Sequence, residues 1–204
     1  MTDAPDQDAK AHKEKMNEVQ AKHRAKTSEL QDPERGLVLV HTGKGKGKSS
    51  SAFGVVVRAL GWGQKVGVVQ FIKGKWKTGE RRFFEDHGGV TWHTMGEGFT
   101  WDTQDRDRDI AAAKSAFGKA CDLMASGDYD LVVLDEINIA LRYEYLSVED
   151  VLAGLEGRAD KTGVILTGRD APPALCDYAD LVTEMSEVKH PFQAGIKAQR
   201  GVDF

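Results

Sequence analysis

The sequence is poor in cysteine, in positive charge excess and in long apolar runs. Its two cysteines, Cys121 and Cys176, are too few for a disulfide framework in a chain of 204 residues, and the expected compartment is the reducing cytoplasm. No apolar run approaches the roughly 18 residues that a membrane helix requires. The opening residues, Met-Thr-Asp-Ala-Pro-Asp-Gln-Asp, lack the apolar stretch of a secretory signal. Lysine and arginine number 28 against 32 acids, a net charge of −4. That balance excludes sequence-independent nucleic-acid binding, which runs on excess positive charge. Glycine is missing altogether from residues 1–35.

Elsewhere glycine is abundant. The chain holds 22, well above the usual level of about 7%, and 14 of them fall in residues 36–98. Glycine so dense either breaks structure or lets backbone approach a ligand. It argues against a simple helical bundle in the middle of the chain.

One compact domain is expected, preceded by an arm that is flexible or conditionally ordered, or else a disordered tail. Residues 1–35 form a charged arm. After Met1 its large apolar residues are Met16, Val19 and Leu30, too few to bury a face. Asp8 is positioned to cap a helix from about Ala9 to Leu30, ending near Pro33. Residues 36–204 alternate apolar, β-branched runs with helical patterns. Strands are expected at 37–40, 66–72, 90–94, 131–134, 163–167 and 181–185. Helices are expected at 50–60, 103–125, from Ser147 onward, and from Pro172 to about Tyr178. Continuous apolar runs of this kind belong to a mostly parallel sheet covered by helices on both faces, an α/β fold. Ligands of such sheets bind at the carboxyl ends of the strands.

The first strand runs into Thr42-Gly43-Lys44-Gly45-Lys46-Gly47-Lys48-Ser49-Ser50, and a helix follows. This is the end of a Walker A phosphate loop. Glycines let successive N–H groups turn onto phosphate oxygens, Lys48 brings a point charge to the terminal phosphates, and the Ser49 hydroxyl suits Mg²⁺. The pattern departs from its usual form in one place, since its first glycine falls on Thr42. The alternative is a Gly/Lys surface loop without a ligand. Leu131 to Leu134 followed by Asp135-Glu136 has the Walker B form, an apolar strand tipped with a metal-binding acid. Sequence leaves open which of the two acids meets the metal. These features define a P-loop nucleotide-binding domain of RecA-like type. They do not name its reaction, which could also be that of an ATP-driven motor or a nucleotide-gated interaction module.

Several longer strings carry more information. They are Val40-His41-Thr42-Gly43 through Ser50, Gly67-Val68-Val69-Gln70-Phe71-Ile72-Lys73-Gly74, Gly79-Glu80-Arg81, Gly98-Phe99-Thr100-Trp101, Val133-Leu134-Asp135-Glu136, Thr167-Gly168-Arg169, Val188-Lys189-His190-Pro191-Phe192 and Gly195 through Gly201. Together they resemble the P-loop ATP:corrinoid adenosyltransferases of cobalamin synthesis, over residues 36–204.

The resemblance implies a transferase. It moves the 5′-deoxyadenosyl group of ATP to the Co(I) centre of cob(I)yrinic acid a,c-diamide, cobinamide or cobalamin, and releases triphosphate. It implies Mg²⁺ or Mn²⁺, an electron donor such as a reduced flavoprotein, a homodimer, and ATP lying in the loop in the reverse sense to ordinary NTPases. It implies nucleotide contacts from Gly43, Lys44, Gly45, Lys46, Gly47, Lys48, Ser49, Ser50, Arg58 and Arg169. Ser49, Asp135 and Glu136 are its candidate metal ligands. Phe99 and Trp101, with Lys48, are its candidate catalytic residues, the two aromatics pressing on the corrin face and displacing its axial ligand. The arm becomes a candidate lid over the corrinoid. Arg58 and Arg169, with Lys189, His190, Lys197 and Arg200, are candidates for contacts to ATP or corrin amides, or else solvated charges. His41 is expected to be a strand residue beside the loop.

Overall fold

The computed structural model describes residues 4–71, 78–94 and 105–203. Phe99, Trp101, Gly74, Gly96, Gly98 and the expected helix start at Thr103 lie outside the described residues. The chain divides into two compact units, Met1–Glu34 and Arg35–Phe204. In the first, helix α1 spans Ala4–Ser28. It begins four residues before Asp8, so Asp8 lies within the helix and is not its cap.

The second unit is a six-stranded sheet in which every pairing is parallel. Its strands are β1 (Val38–Thr42), β2 (Val66–Gln70), β3 (Val90–Thr94), β4 (Leu131–Asp135), β5 (Gly163–Thr167) and β6 (Leu181–Glu184), in the order β3-β2-β4-β5-β1-β6. The connecting helices are α2 (Lys48–Gly61), α3 (Gly79–His87), α4 (Arg106–Ala125), α5 (Ile137–Arg142), α6 (Val148–Glu156) and α7 (Pro173–Tyr178). A short 3₁₀ turn at Pro191–Ala194 follows β6.

Side-chain alternation along the strands splits the core in two. Val66, Val68, Leu131, Val133 and Ile165 pack with Ala52, Phe53 and Val56 of α2 and Phe84 of α3. Val69, Val132, Leu134, Val164 and Leu166 pack on the other face, with Phe117 and Met124 of α4, Leu155 of α6 and Leu175 of α7. Each such side chain, fully buried, contributes about 1.5–3 kcal/mol. Central strands are buried on both faces, which is why they read as unbroken apolar runs. β6 lies at the sheet edge and is exposed throughout.

Two helices escape the sequence pattern. α3 is mostly charged, Gly-Glu-Arg-Arg-Phe-Phe-Glu-Asp-His, and its signal is the Thr78 hydroxyl that accepts the Arg81 N–H. α5 is six residues long and follows Glu136, whose φ of 64° turns the chain sharply out of β4. The Ser147 cap does form, accepting the Asp150 N–H at 3.0 Å. The acid-tipped strand, expected beside the strand that carries the loop, is separated from it: β5 lies between β4 and β1.

Candidate functional site

At the carboxyl end of β1 the chain enters the glycine–lysine loop. Gly43 (φ 94°) and Gly47 (φ 105°) take left-handed conformations that disfavour any side chain. A Cβ on Gly43 would stand 2.5 Å from the Met185 carbonyl oxygen, and one on Gly45 would stand 2.6 Å from that of Ser186. The loop is therefore seated on the segment leaving β6, and the Gly45 N–H donates to the Met185 carbonyl. α2 then starts at Lys48, with no side-chain cap from Gly47. That leaves its first N–H groups directed out of the helix end, where they suit phosphate.

Lys48 is buried, and its ammonium donates to the Gly45 carbonyl at 2.6 Å. Burial lowers its pKa, Glu136 and Asp170 oppose that shift, and Arg169 and Lys46 add to it. The residues brought together around this ammonium thus come from the loop, the tip of β4 and the loop after β5. Lys44 is exposed, Ser49 half-buried and Ser50 exposed. Lys46 is paired with Asp203, near the end of the chain.

The loop after β5 is held in place at several points. Gly168 takes φ 131°, with its carbonyl accepting from the Asn138 amide at 3.0 Å. Arg142 meets Asp170 at 3.0 Å. The Thr42 hydroxyl accepts the Ala171 N–H at 3.0 Å. Arg169 emerges between these ties, exposed, and its charge acts on Lys48. Arg58 is not gathered here. It stands exposed on the last turn of α2, about 15 Å along the helix axis from Lys48 at 1.5 Å per residue. Lys189, His190, Lys197 and Arg200 lie in the segment after β6, partly or fully exposed, with the His190 ring capping the 3₁₀ turn.

Asp135 is fully buried. Its Oδ1 accepts the Thr167 hydroxyl at 2.9 Å, and its Oδ2 accepts the Gln70 amide at 2.8 Å. The Glu136 N–H donates to the same Thr167 hydroxyl at 2.9 Å. Register explains the grouping. Thr94 pairs with Gln70, Gln70 with Asp135, Thr167 with His41, and His41 with Thr183. One polar rung thus crosses the carboxyl edge of the sheet, above apolar rungs and on the α2 side. Gln70 and Thr167 are the site residues that sequence reasoning missed. Their signal was a polar residue closing an otherwise apolar strand. His41 belongs to the rung as a buried strand residue, its Nδ1–H donating to the Lys48 carbonyl at 3.3 Å. Burial lowers its pKa.

Among the described residues no group of three His, Cys, Asp or Glu side chains gathers as a metal cage. An acid pair facing a phosphate loop instead offers one or two carboxylates, the donor set suited to Mg²⁺ that arrives with phosphates.

A parallel sheet with this loop after β1 and this acid at the tip of β4 defines a P-loop nucleotide-binding domain. The family described as ATP:corrinoid adenosyltransferase BtuR/CobO/CobP matches residues 34–204, and the chain belongs to it. It is 55% identical over 205 residues to a corrinoid adenosyltransferase of Pseudomonas aeruginosa, covering 100% of both chains. It is 49% identical to one of a Sinorhizobium species over 98% of this chain and 94% of that one. It is 45% identical to one of Escherichia coli K12 over 95% of this chain and 97% of that one.

Proposed function

We propose that this chain performs its family's reaction: the Co(I) centre of a corrinoid attacks C5′ of ATP, the cobalt–carbon bond forms, the C5′–O bond breaks, and triphosphate leaves with the electron pair. The observation that carries the reading is the glycine loop packed against the segment after β6, with the buried Lys48 ammonium on the Gly45 carbonyl, in a chain of this family.

The nucleophile belongs to the corrinoid, so the protein needs no general base. Its work is to hold ATP in reach of the cobalt and to stabilise charge on the leaving triphosphate. Apart from Gly45, whose N–H is taken by the Met185 carbonyl, the N–H groups of the Gly43–Ser49 loop and the α2 terminus cradle the phosphates. Lys48 exchanges its bond to the Gly45 carbonyl for phosphate oxygens, and Arg169 approaches them from the loop after β5. Ser49 with Asp135 or Glu136 would hold a Mg²⁺ or Mn²⁺ ion, which supplies further positive charge against the triphosphate. Phe99 and Trp101 press on the corrin face. Residues 1–35 contribute to corrinoid binding, so trimming residues 1–30 raises the corrinoid KM; an unchanged KM would remove them from the mechanism. A reduced flavoprotein supplies the electron that makes Co(I), and the enzyme works as a cytoplasmic homodimer.

The test mixes protein, ATP, Mg²⁺ and chemically reduced cobalamin without oxygen. Adenosylcobalamin, followed by its absorbance, and triphosphate are expected together. ADP with phosphate in their place would assign a motor-type ATPase. Lys48→Ala is expected to lose activity by two orders of magnitude or more; unchanged activity would remove the loop from the mechanism.

A further inference from the structure

Gln70 closes β2, an otherwise apolar strand, and is almost completely buried. A buried amide is costly unless its groups are satisfied, and here both ends are. Its Nε2 donates to Asp135 Oδ2 at 2.8 Å, and its Oε1 accepts the Trp92 indole N–H at 3.2 Å. An indole nitrogen only donates and an ionised carboxylate only accepts, so one orientation of the amide satisfies both partners. Trp92 is itself fixed between Phe53 of α2, with ring centroids 5.4 Å apart, and Phe84 of α3, at 6.1 Å. The chain Trp92–Gln70–Asp135–Thr167 therefore runs across four adjacent strands, β3, β2, β4 and β5. It ends on the N–H of Glu136.

We infer that Gln70 is a positioning residue for the acid pair: it fixes one oxygen of Asp135, Thr167 fixes the other, and Thr167 also sets the turn that presents Glu136 beside Lys48. The inference rests on the reading that this acid pair serves a metal-bound nucleotide. It assigns Gln70 no contact with substrate. Its effect belongs to nucleotide bound with metal, and leaves the metal-free cradle of loop N–H groups alone.

Calorimetric titration of the full chain with ATP separates the two, once in Mg²⁺ and once in EDTA. Gln70→Leu is expected to lose about tenfold in affinity in Mg²⁺, the scale of outer partners of metal ligands, with the EDTA affinity unchanged. A merely structural role would lower the two affinities together. Equal losses in Mg²⁺ and EDTA, or no loss, would overturn the inference. Should Gln70→Leu fail to fold, Gln70→Met, which keeps the length and lacks the amide, is titrated in the same way, and equal losses in Mg²⁺ and EDTA, or none, overturn the inference. A wild type that binds ATP equally with and without Mg²⁺ overturns the metal reading itself, and the inference with it.

Discussion

The hydroxyl of Thr42 accepts the backbone N–H of Ala171 at 3.0 Å. This bond accounts for a threonine where the phosphate-loop pattern has its first glycine. The last side chain of β1 anchors the segment that carries Arg169, and so couples the phosphate loop to a cation reaching it from β5. Thr42→Val keeps the shape and removes the acceptor, leaving the Ala171 N–H unpaired at a cost of about 1–3 kcal/mol. The expected result is an ATP KM raised several-fold with kcat little changed, while Thr42→Ser stays within about twofold of wild type. Steady-state kinetics at saturating corrinoid measures it. A valine variant with the wild-type KM would show that Arg169 does not depend on the tie.

The role proposed for Phe99 and Trp101, stripping the axial ligand from cobalt, belongs to the reduction of Co(II) and not to ATP binding. The Phe99→Ala/Trp101→Ala double variant is expected to keep the wild-type ATP affinity. It should slow adenosylation by tenfold or more when cob(II)alamin and a mild reductant are supplied, each factor of ten being about 1.4 kcal/mol. Chemically prepared cob(I)alamin should restore most of the rate. Equal rates from cob(II)alamin would exclude the role.

What could be read from the sequence follows from what each signal depends on. The buried strands announced themselves because parallel strands covered on both faces are apolar at every position, as in Leu131–Leu134. The loop was legible because its glycines and Lys48 are contiguous. α3 was not, since Phe83 and Phe84 are adjacent and the rest of Gly79–His87 is mostly polar, which gives no helical period. Asp8 misled because an N-cap residue type also occurs inside helices. The polar rung of Gln70, Asp135, Thr167 and His41 depends on which distant strands pair: a polar residue closing each apolar strand was legible, its partner across the sheet was not. Lys46–Asp203 joins two distant parts of the chain and had no local signal at all.

That ion pair bears directly on nucleotide binding. Lys46 sits between two loop glycines, and Asp203 takes its ammonium while also accepting the Gln199 N–H at 2.8 Å. The Lys46 hydrogen bond, followed by that of Gln199, holds the Asp203 carboxyl below the usual range. Triphosphate competes for the same ammonium. Asp203→Asn is therefore expected to lower the ATP KM by about twofold, the modest scale of a partly solvated pair. Inhibition by free triphosphate should strengthen to match. An unchanged KM and unchanged inhibition would show that Lys46 stays with the chain terminus throughout turnover.

His41 gives the fold a pH dependence with a definite sign. Its ring is buried beneath the loop, and desolvation lowers its pKa below the ordinary value of 6.5, with the bond to the Lys48 carbonyl offsetting part of the shift. In the unfolded chain the ring takes up a proton near pH 6.5. Below that pH the unfolded state binds more protons than the folded one, so stability falls as pH falls until the folded value is passed. His93 contributes with the same sign, its pKa lowered by burial and then by Lys119. The melting temperature of the wild type is expected to drop between pH 7.5 and 5.5. His41→Gln keeps a donor for the Lys48 carbonyl and cannot titrate, so its drop should be shallower, and adding His93→Gln should flatten it further. Thermal melts of all three proteins across that range check the sign. Parallel curves would mean that neither ring resists protonation in the folded state, and that the acid sensitivity of this domain has its source in its carboxylates.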